Sequence, residues 1–331
     1  MNKILFVFFC LIFFSCKNET KQAKTLSVEN TIANGLVFGT SYKVIYNSDV
    51  DFQKQFDSLF YVINKSMSTY QVNSNISKLN RNEDNNVDTH FIKVFNASKQ
   101  IFEETKGAFD PTIGAVVNAW DFGPEGVIEN IDSLKIDSLM TFVGFNKVLH
   151  QNNVITKPKG TFLDFNAIAK GYGVDVIGEF LESQNVENYL VEIGGEIRVK
   201  GINAAKGSFW KVGVEEPNFD KKQVILKAIN LKNEAMATSG TYRKFKIDEN
   251  GNRYSHIIDT KTGYPSKTNL LSISVITENC MAADAYATAF KAMGIEKVKS
   301  FLEAHPELKV YLIFENETNE LQTLALNGFP K

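Results

Sequence analysis

Cysteine is scarce: the 331 residues contain three. Cys10 lies inside an apolar N-terminal run and Cys16 just after it, so only Cys280 remains in the body. The mature chain therefore holds no internal disulfide and must rely on an apolar core. Zinc-type Cys/His clusters, internal repeats and a second long apolar span are all missing. The seven prolines are scattered, and no linker divides the chain. Lys and Arg nowhere gather into a block, and 36 of them face 38 Asp and Glu. That balance excludes the electrostatic footprint of a nucleic-acid binder and any basic membrane-binding face. What is present is apolar material: 44% hydrophobic and 12% aromatic residues, enough to build a sizeable core.

The N-terminus sets an expectation of compartment. Lys3 precedes an unbroken apolar run from Ile4 to Phe14. The run falls short of the roughly 20 residues needed to span a bilayer and fits the h-region of a secretory signal. Ser15-Cys16 follow, then polar Lys17-Asn18-Glu19-Thr20-Lys21-Gln22. A small residue before cysteine and a polar tether after it resemble the lipobox of bacterial lipoproteins, with Phe13 and Phe14 departing from the usual residues. A plain signal peptide cut nearby, or an N-terminal anchor helix, are the alternatives. The expected division is a signal peptide over 1–15, lipidated Cys16 with a tether to 30, and a catalytic body over 31–331. Removal of Lys3 leaves 35 basic against 38 acidic residues, a net of −3. The protein is expected outside the cytoplasm, held to the membrane by lipid.

Beyond the tether both periodicities occur. Phe52, Phe56, Leu59, Phe60, Ile63 and Met67 recur at helical spacing, as do Phe91, Val94, Phe95, Ile101 and Phe102. Residues 148–155 read as a hairpin around Gln151-Asn152-Asn153. Strands are expected over 189–193, 196–199 and 271–276, and helices over 167–181, 281–293 and 296–304. Strands and helices interleave irregularly, with hairpins instead of βαβ alternation. This predicts one α+β domain with a hairpin-rich sheet and packed helices.

Polar and glycine-rich clusters punctuate these elements. Asp284 and Thr288 are four apart and share a helix face. A carboxylate with a hydroxyl is hard oxygen ligation suited to Mg²⁺; the alternative is that Asp284 caps or salt-bridges a surface helix and Thr288 is merely half-buried. Lys170 follows Asp164 where strand turns to helix, and can act as a point charge on a phosphate. Asp164 can accept from a ribose or amino group, or simply cap the helix. Gly171 and Gly194-Gly195 permit close backbone approach to a ligand, and Gly195 serves equally as a turn glycine. Thr238-Ser239-Gly240 and Arg243 offer donors for a pyrophosphate, or form a turn. His256, in Ser255-His256-Ile257-Ile258-Asp259, titrates near neutrality and is a candidate base; a histidine bonded to backbone at a strand end is its alternative.

Taken in order, the clusters AFD (108–110), D-x-x-x-I-A-K-G (164–171), GG (194–195), TSG (238–240), SHIID (255–259) and AD-x-x-x-T (283–288) resemble the ApbE family of flavin transferases. The resemblance runs from about Gly39 to about Gly294. It implies a T-fold-like α+β body and Mg²⁺-dependent transfer of FMN from FAD to a Thr or Ser hydroxyl of an acceptor protein, releasing AMP. By resemblance, Phe38, Tyr70, Ala108, Phe109, Asp110, Asp164, Lys170, Gly195, Ser239, Arg243 and Ile258 would contact FAD. Ala167, by its carbonyl, would join Asp284, Ala287 and Thr288 around the metal, against the FAD pyrophosphate. Phe38 and Tyr70 stand where the family often has Met and Trp; Asn166 and Thr241 also depart from its usual residues. The implied acceptors are extracytoplasmic FMN-carrying subunits of respiratory redox pumps, such as the Na⁺-translocating NADH:quinone reductase and Rnf-type complexes. Two other readings stay open: an FAD pyrophosphatase that uses water, and a non-catalytic FAD-binding lipoprotein.

Overall fold

In the computed structural model, residues 29–126, 131–220, 222–242, 245–247 and 253–331 are described. The signal run, Cys16 and the tether as far as 28 lie outside them. The first hairpin pairs β1 (Thr31–Val37) with β2 (Thr40–Tyr46). Its two turn residues, Phe38 and Gly39, have φ of 50° and 76°, as tight two-residue turns require. Helices α1 (Gln53–Met67), α2 (Asn75–Asn80), α3 (Thr89–Glu104), α4 (Gly114–Ala119) and α5 (Ser133–Met140) follow. The apolar stripes read from the sequence fall on α1 and α3. Strands β3 (Leu149–Gln151) and β4 (Val154–Thr156) turn on Asn152 and Asn153, at φ 47° and 63°. The hairpin expected there is thus present.

The remaining elements are α6 (Ala169–Ser183), β5 (Tyr189–Ile193), β6 (Glu196–Lys200), β7 (Trp210–Glu215), β8 (Ile225–Leu231) and β9 (Ala235–Gly240). After them come the short pair β10 (Phe245–Ile247) and β11 (Arg253–Ser255), then β12 (Leu270–Thr277), α7 (Cys280–Met293), α8 (Ile295–Leu302), β13 (Lys309–Glu315) and β14 (Leu321–Leu326). Eight strands form one sheet in the order β1-β2-β5-β6-β9-β12-β13-β14. Every neighbouring pair in it is antiparallel. The fold is α+β, as the hairpin-rich pattern implied.

Strand alternation gives this sheet two buried faces. Ile197, Val199, Met236, Ile276 and Ile313 point to one face, which the β7–β8 hairpin covers with Trp210, Val212, Val214, Ile229 and Leu231. Val191, Ile193, Ile273, Val275, Val310 and Leu312 point to the other, under α6 and α7. These two helices cap each other. Asp175 of α6 accepts from the N–H groups of Cys280 (3.0 Å) and Met281 (2.8 Å) at the start of α7. Asp284 of α7 accepts from the N–H of Gly171 (3.0 Å) at the start of α6. Each carboxylate satisfies amides that a helix N-terminus leaves unpaired. A Cβ on Gly171 would stand 2.3 Å from the Cys280 carbonyl oxygen, so this glycine serves helix–helix approach. Among the described residues no helix is long and apolar enough to cross a membrane.

Candidate functional site

Four loops converge where α6, α7 and the end of β9 meet. The first leaves α3 through Lys106 and Gly107, whose φ values of 52° and 81° end the helix. It delivers Ala108, Phe109 and Asp110. The second carries Asp164 into α6 and is tied to the first, since the Asp164 N–H donates to the Pro111 carbonyl at 2.8 Å. The third is the Gly194-Gly195 turn between β5 and β6, with both glycines at positive φ (64° and 108°). The fourth follows β11 and holds His256 to Thr260. Trp120 Nε1 fixes it by donating to the Gly263 carbonyl at 2.8 Å, and Thr260 Oγ1 by donating to the Gly107 carbonyl at 2.5 Å.

Between them lies a cavity of about 300 Å³. Of the residues singled out in the sequence, Ala108, Phe109, Asp110, Asp164, Ala167, Lys170, Ser239, His256, Ile258, Asp284 and Thr288 line it. They come from segments spread across 180 positions of the chain (108 to 288). Four residues do not line it. Phe38 is half-buried at the β1–β2 turn, edge-on to Phe60 at 5.7 Å. Tyr70 is exposed beside the cavity, close enough to Asp164 that the carboxylate adds to burial in raising the phenol pKa. Gly195 faces a separate cavity beside β7, and its positive φ is what the two-residue turn demands. Ala287 points into the apolar core under α7. Arg243 lies outside the described residues.

Two of the lining carboxylates are committed locally. Asp110 accepts from the Thr112 N–H (2.8 Å), the Thr112 hydroxyl (2.6 Å) and the Phe145 N–H (3.3 Å), and burial raises its pKa. Asp164 accepts from the N–H of Asn166 at 2.7 Å and its side-chain amide at 3.1 Å. Both shape loops, and Asp164 remains at the cavity wall.

The charged centre is a triad of Lys170, Glu196 and Asp284. Lys170 Nζ stands 2.6 Å from Glu196 Oε1; the lysine side chain is 31% exposed and that of Glu196 only 4%. Burial, reinforced for Glu196 by the charge of Asp284, raises the pKa of both acids. Burial opposes the Lys170 charge, but Glu196 and Asp284 outweigh it and hold the ammonium protonated. Glu196 is not among the candidate residues read from the sequence, where it only opens the strand expected over 196–199. The signal available was a charged side chain starting a strand whose even positions face the helices.

Oxygen ligation of a divalent cation fits this centre. Two buried carboxylates face one ammonium, leaving an excess negative charge. Glu196 Oε2 is buried with no hydrogen-bond partner among the described residues. Asp284 spends Oδ2 on Gly171, and its Oδ1 has no partner among them. Thr288 lines the cavity one helical turn on, and Ala167 lines it from the start of α6. Among the described residues no group of three or more His, Cys, Asp or Glu is placed to hold a metal ion, so hydroxyl and carbonyl oxygens would have to complete the ligand set.

Comparison with known proteins places this geometry. The ApbE family model matches residues 38–312. The chain is 34% identical over 351 aligned residues to the FAD:protein FMN transferase of Haemophilus influenzae, covering 100% of this chain and 97% of that one. It is 35% identical over 302 residues to the FAD:protein FMN transferase of Vibrio cholerae, covering 87% and 89%. Among solved structures it resembles the flavin transferase ApbE from Vibrio cholerae, with a TM-score of 0.81 and 34% identity over 90% of this chain and 97% of that one. The apo flavinyl transferase ApbE of Pseudomonas stutzeri gives 0.79 and 26%, over 90% and 95%.

Proposed function

Because the chain belongs to the ApbE family, we propose that it transfers FMN from FAD to a threonine or serine hydroxyl of an extracytoplasmic acceptor protein, releasing AMP. The observation that carries this reading is the meeting of His256, the Lys170–Glu196 pair, Asp284 and Thr288 around one cavity. A base, a fixed cation and hard oxygen donors are what attack on a diphosphate needs.

The acceptor oxygen bonds to the FMN phosphorus, and the bond from that phosphorus to the AMP oxygen breaks. His256, set on the loop that Trp120 and Thr260 anchor, receives the hydroxyl proton. Lys170 presents its ammonium to the diphosphate, and Glu196 keeps the lysine in place. Asp284, Thr288 and the Ala167 carbonyl would hold Mg²⁺, which when bound supplies positive charge against the diphosphate oxygens. Phe109 and Ile258 give the cavity its apolar walls, against which a flavin ring can lie and water is excluded.

Its acceptors in this reading are FMN-carrying subunits of the Na⁺-translocating NADH:quinone reductase or Rnf type. The N-terminal run with Cys16 is the proposed lipid anchor that keeps the enzyme on the same side of the membrane as those subunits. The test uses the purified protein with FAD, Mg²⁺ and such a subunit. The subunit should acquire fluorescence that survives denaturing electrophoresis, and should not when its acceptor threonine is replaced by valine. Release of AMP with no labelled subunit would point to the pyrophosphatase instead.

A further inference from the structure

A second cavity, of about 410 Å³, adjoins the first. Ala108, Thr260 and Ala292 line both, so the two share a wall. Ala292, Met293 and Phe301 give it apolar lining, beside the polar Thr105, Ser300 and His305. Its rim carries Lys106 just after α3, Lys261 in the turn after Asp259, and Lys297 on α8. All three lysines are exposed, and none forms an ion pair with a described residue.

Two acids, Glu104 and Asp259, share the lining, and each is held by local hydrogen bonds. Glu104 accepts from the Gln100 side-chain amide at 2.9 Å and from the Tyr286 hydroxyl. Asp259 Oδ1 accepts from the N–H groups of Lys261 (2.8 Å) and Thr262 (3.2 Å), closing its own turn. Three exposed lysines thus outnumber the two acids of the same lining, in a protein of net charge −2. Local charge of this sign, against the overall balance, marks a surface that selects an acidic partner.

We propose that this groove receives an acidic segment of the acceptor protein and lays its hydroxyl across the shared wall towards His256. The inference rests on the transferase reading above and adds where the second substrate sits. Lysines on three separate elements around a partly apolar lining suit side chains strung along a polypeptide. A nucleotide would instead concentrate its charge at one diphosphate. Positive charge at the rim steers the acidic acceptor in and is screened by salt.

The test is the charge-reversed variant Lys106→Glu/Lys261→Glu/Lys297→Glu. Flavin transfer is followed as acceptor-bound fluorescence against concentration of the FMN-carrying subunit. The KM for the subunit should rise by about tenfold or more, with kcat, the FAD dissociation constant and the thermal midpoint unchanged. The wild-type decline of kcat/KM with salt should flatten or reverse. The triple Lys→Ala variant should move the same way, by less. An unchanged subunit KM would overturn the proposal. So would a weakened FAD affinity, which would assign the groove to the nucleotide. If the wild-type protein labels no subunit, it is the transferase reading that fails, not the groove.

Discussion

Lys170 on α6 and Glu196 on β6 meet at 2.6 Å within a cavity that also holds Asp284. The lysine is thereby fixed between two acids while its head stays open to a ligand. Lys170→Met would leave two buried carboxylates without their cation. The expected loss is roughly 2–3 kcal/mol, below the full value for a buried pair because Lys170 is partly exposed and the acids can take up a proton. Lys170→Met/Glu196→Gln should recover most of that stability without recovering FAD affinity. Urea unfolding and FAD titration on both variants separate the roles. Wild-type FAD affinity in the double variant would remove Lys170 from the binding site.

Asp284 accepts from the Gly171 N–H and is also a proposed ligand of Mg²⁺. Asp284→Asn keeps an oxygen for the Gly171 N–H but loses the charge. Transfer should fall by on the order of a hundredfold or more, with the Mg²⁺ requirement shifted to much higher concentration. The thermal midpoint should hold. Burial makes Asp284 and Glu196 easier to protonate folded than unfolded. Stability of the metal-free protein should therefore decline as pH rises out of the acidic range, and Mg²⁺ should restore it. A midpoint indifferent to Mg²⁺ at pH 8 would contradict the metal site.

Lys291 lies in α7, fully buried, and among the described residues donates only to Thr268 Oγ1 at 3.1 Å. Burial pushes its pKa down to about 8. Because the unfolded lysine holds its proton more tightly, the residue destabilises the fold at neutral pH. That penalty is relieved as pH rises from about 8 towards the unfolded value of about 10.4. Lys291→Met should stabilise the protein by up to roughly 3 kcal/mol at pH 7, with little gain near pH 10. Thermal midpoints across that range decide it; a lowered midpoint at pH 7 would show that the amine is needed.

Cys16 is the proposed lipid attachment. Cys16→Ser should move the protein from the detergent phase to the aqueous phase, or leave it unprocessed. A soluble chain starting near Lys24 should keep its transfer activity. A wild-type protein found in the aqueous phase would discard the anchor.

Much of this fold was legible because its motifs sit at element ends, where residue type and backbone geometry are tightly linked. The Asn152-Asn153 turn, the α3 stripe of Phe91, Val94 and Phe95, and the Asp284/Thr288 spacing are each set by a few neighbouring residues. The sheet order was not, because β2 pairs with β5 and β6 with β9 across long insertions. Long-range pairing leaves no local pattern. The cavity shows the same division. The strand beginning at Glu196 was legible, but its pairing with Lys170 was not, because α6 and β6 meet only in the fold. Gly171 read as a ligand glycine, yet it is the contact point of two helices. Asp110 lines the cavity as expected, and its bonds from Thr112 and Phe145, which also shape its loop, were not legible.

His256 is the proposed base for the transfer, and single-turnover measurement tests that role directly. Wild-type protein loaded with FAD and Mg²⁺ should, on mixing with the FMN-carrying subunit, release AMP and label the subunit in equal amounts and at equal rates. His256→Ala should bind FAD normally and slow both by roughly 10²- to 10⁴-fold, with part of the loss recovered at higher pH. AMP released without matching label on the subunit, or an unchanged rate in His256→Ala, would contradict flavin transfer at this site.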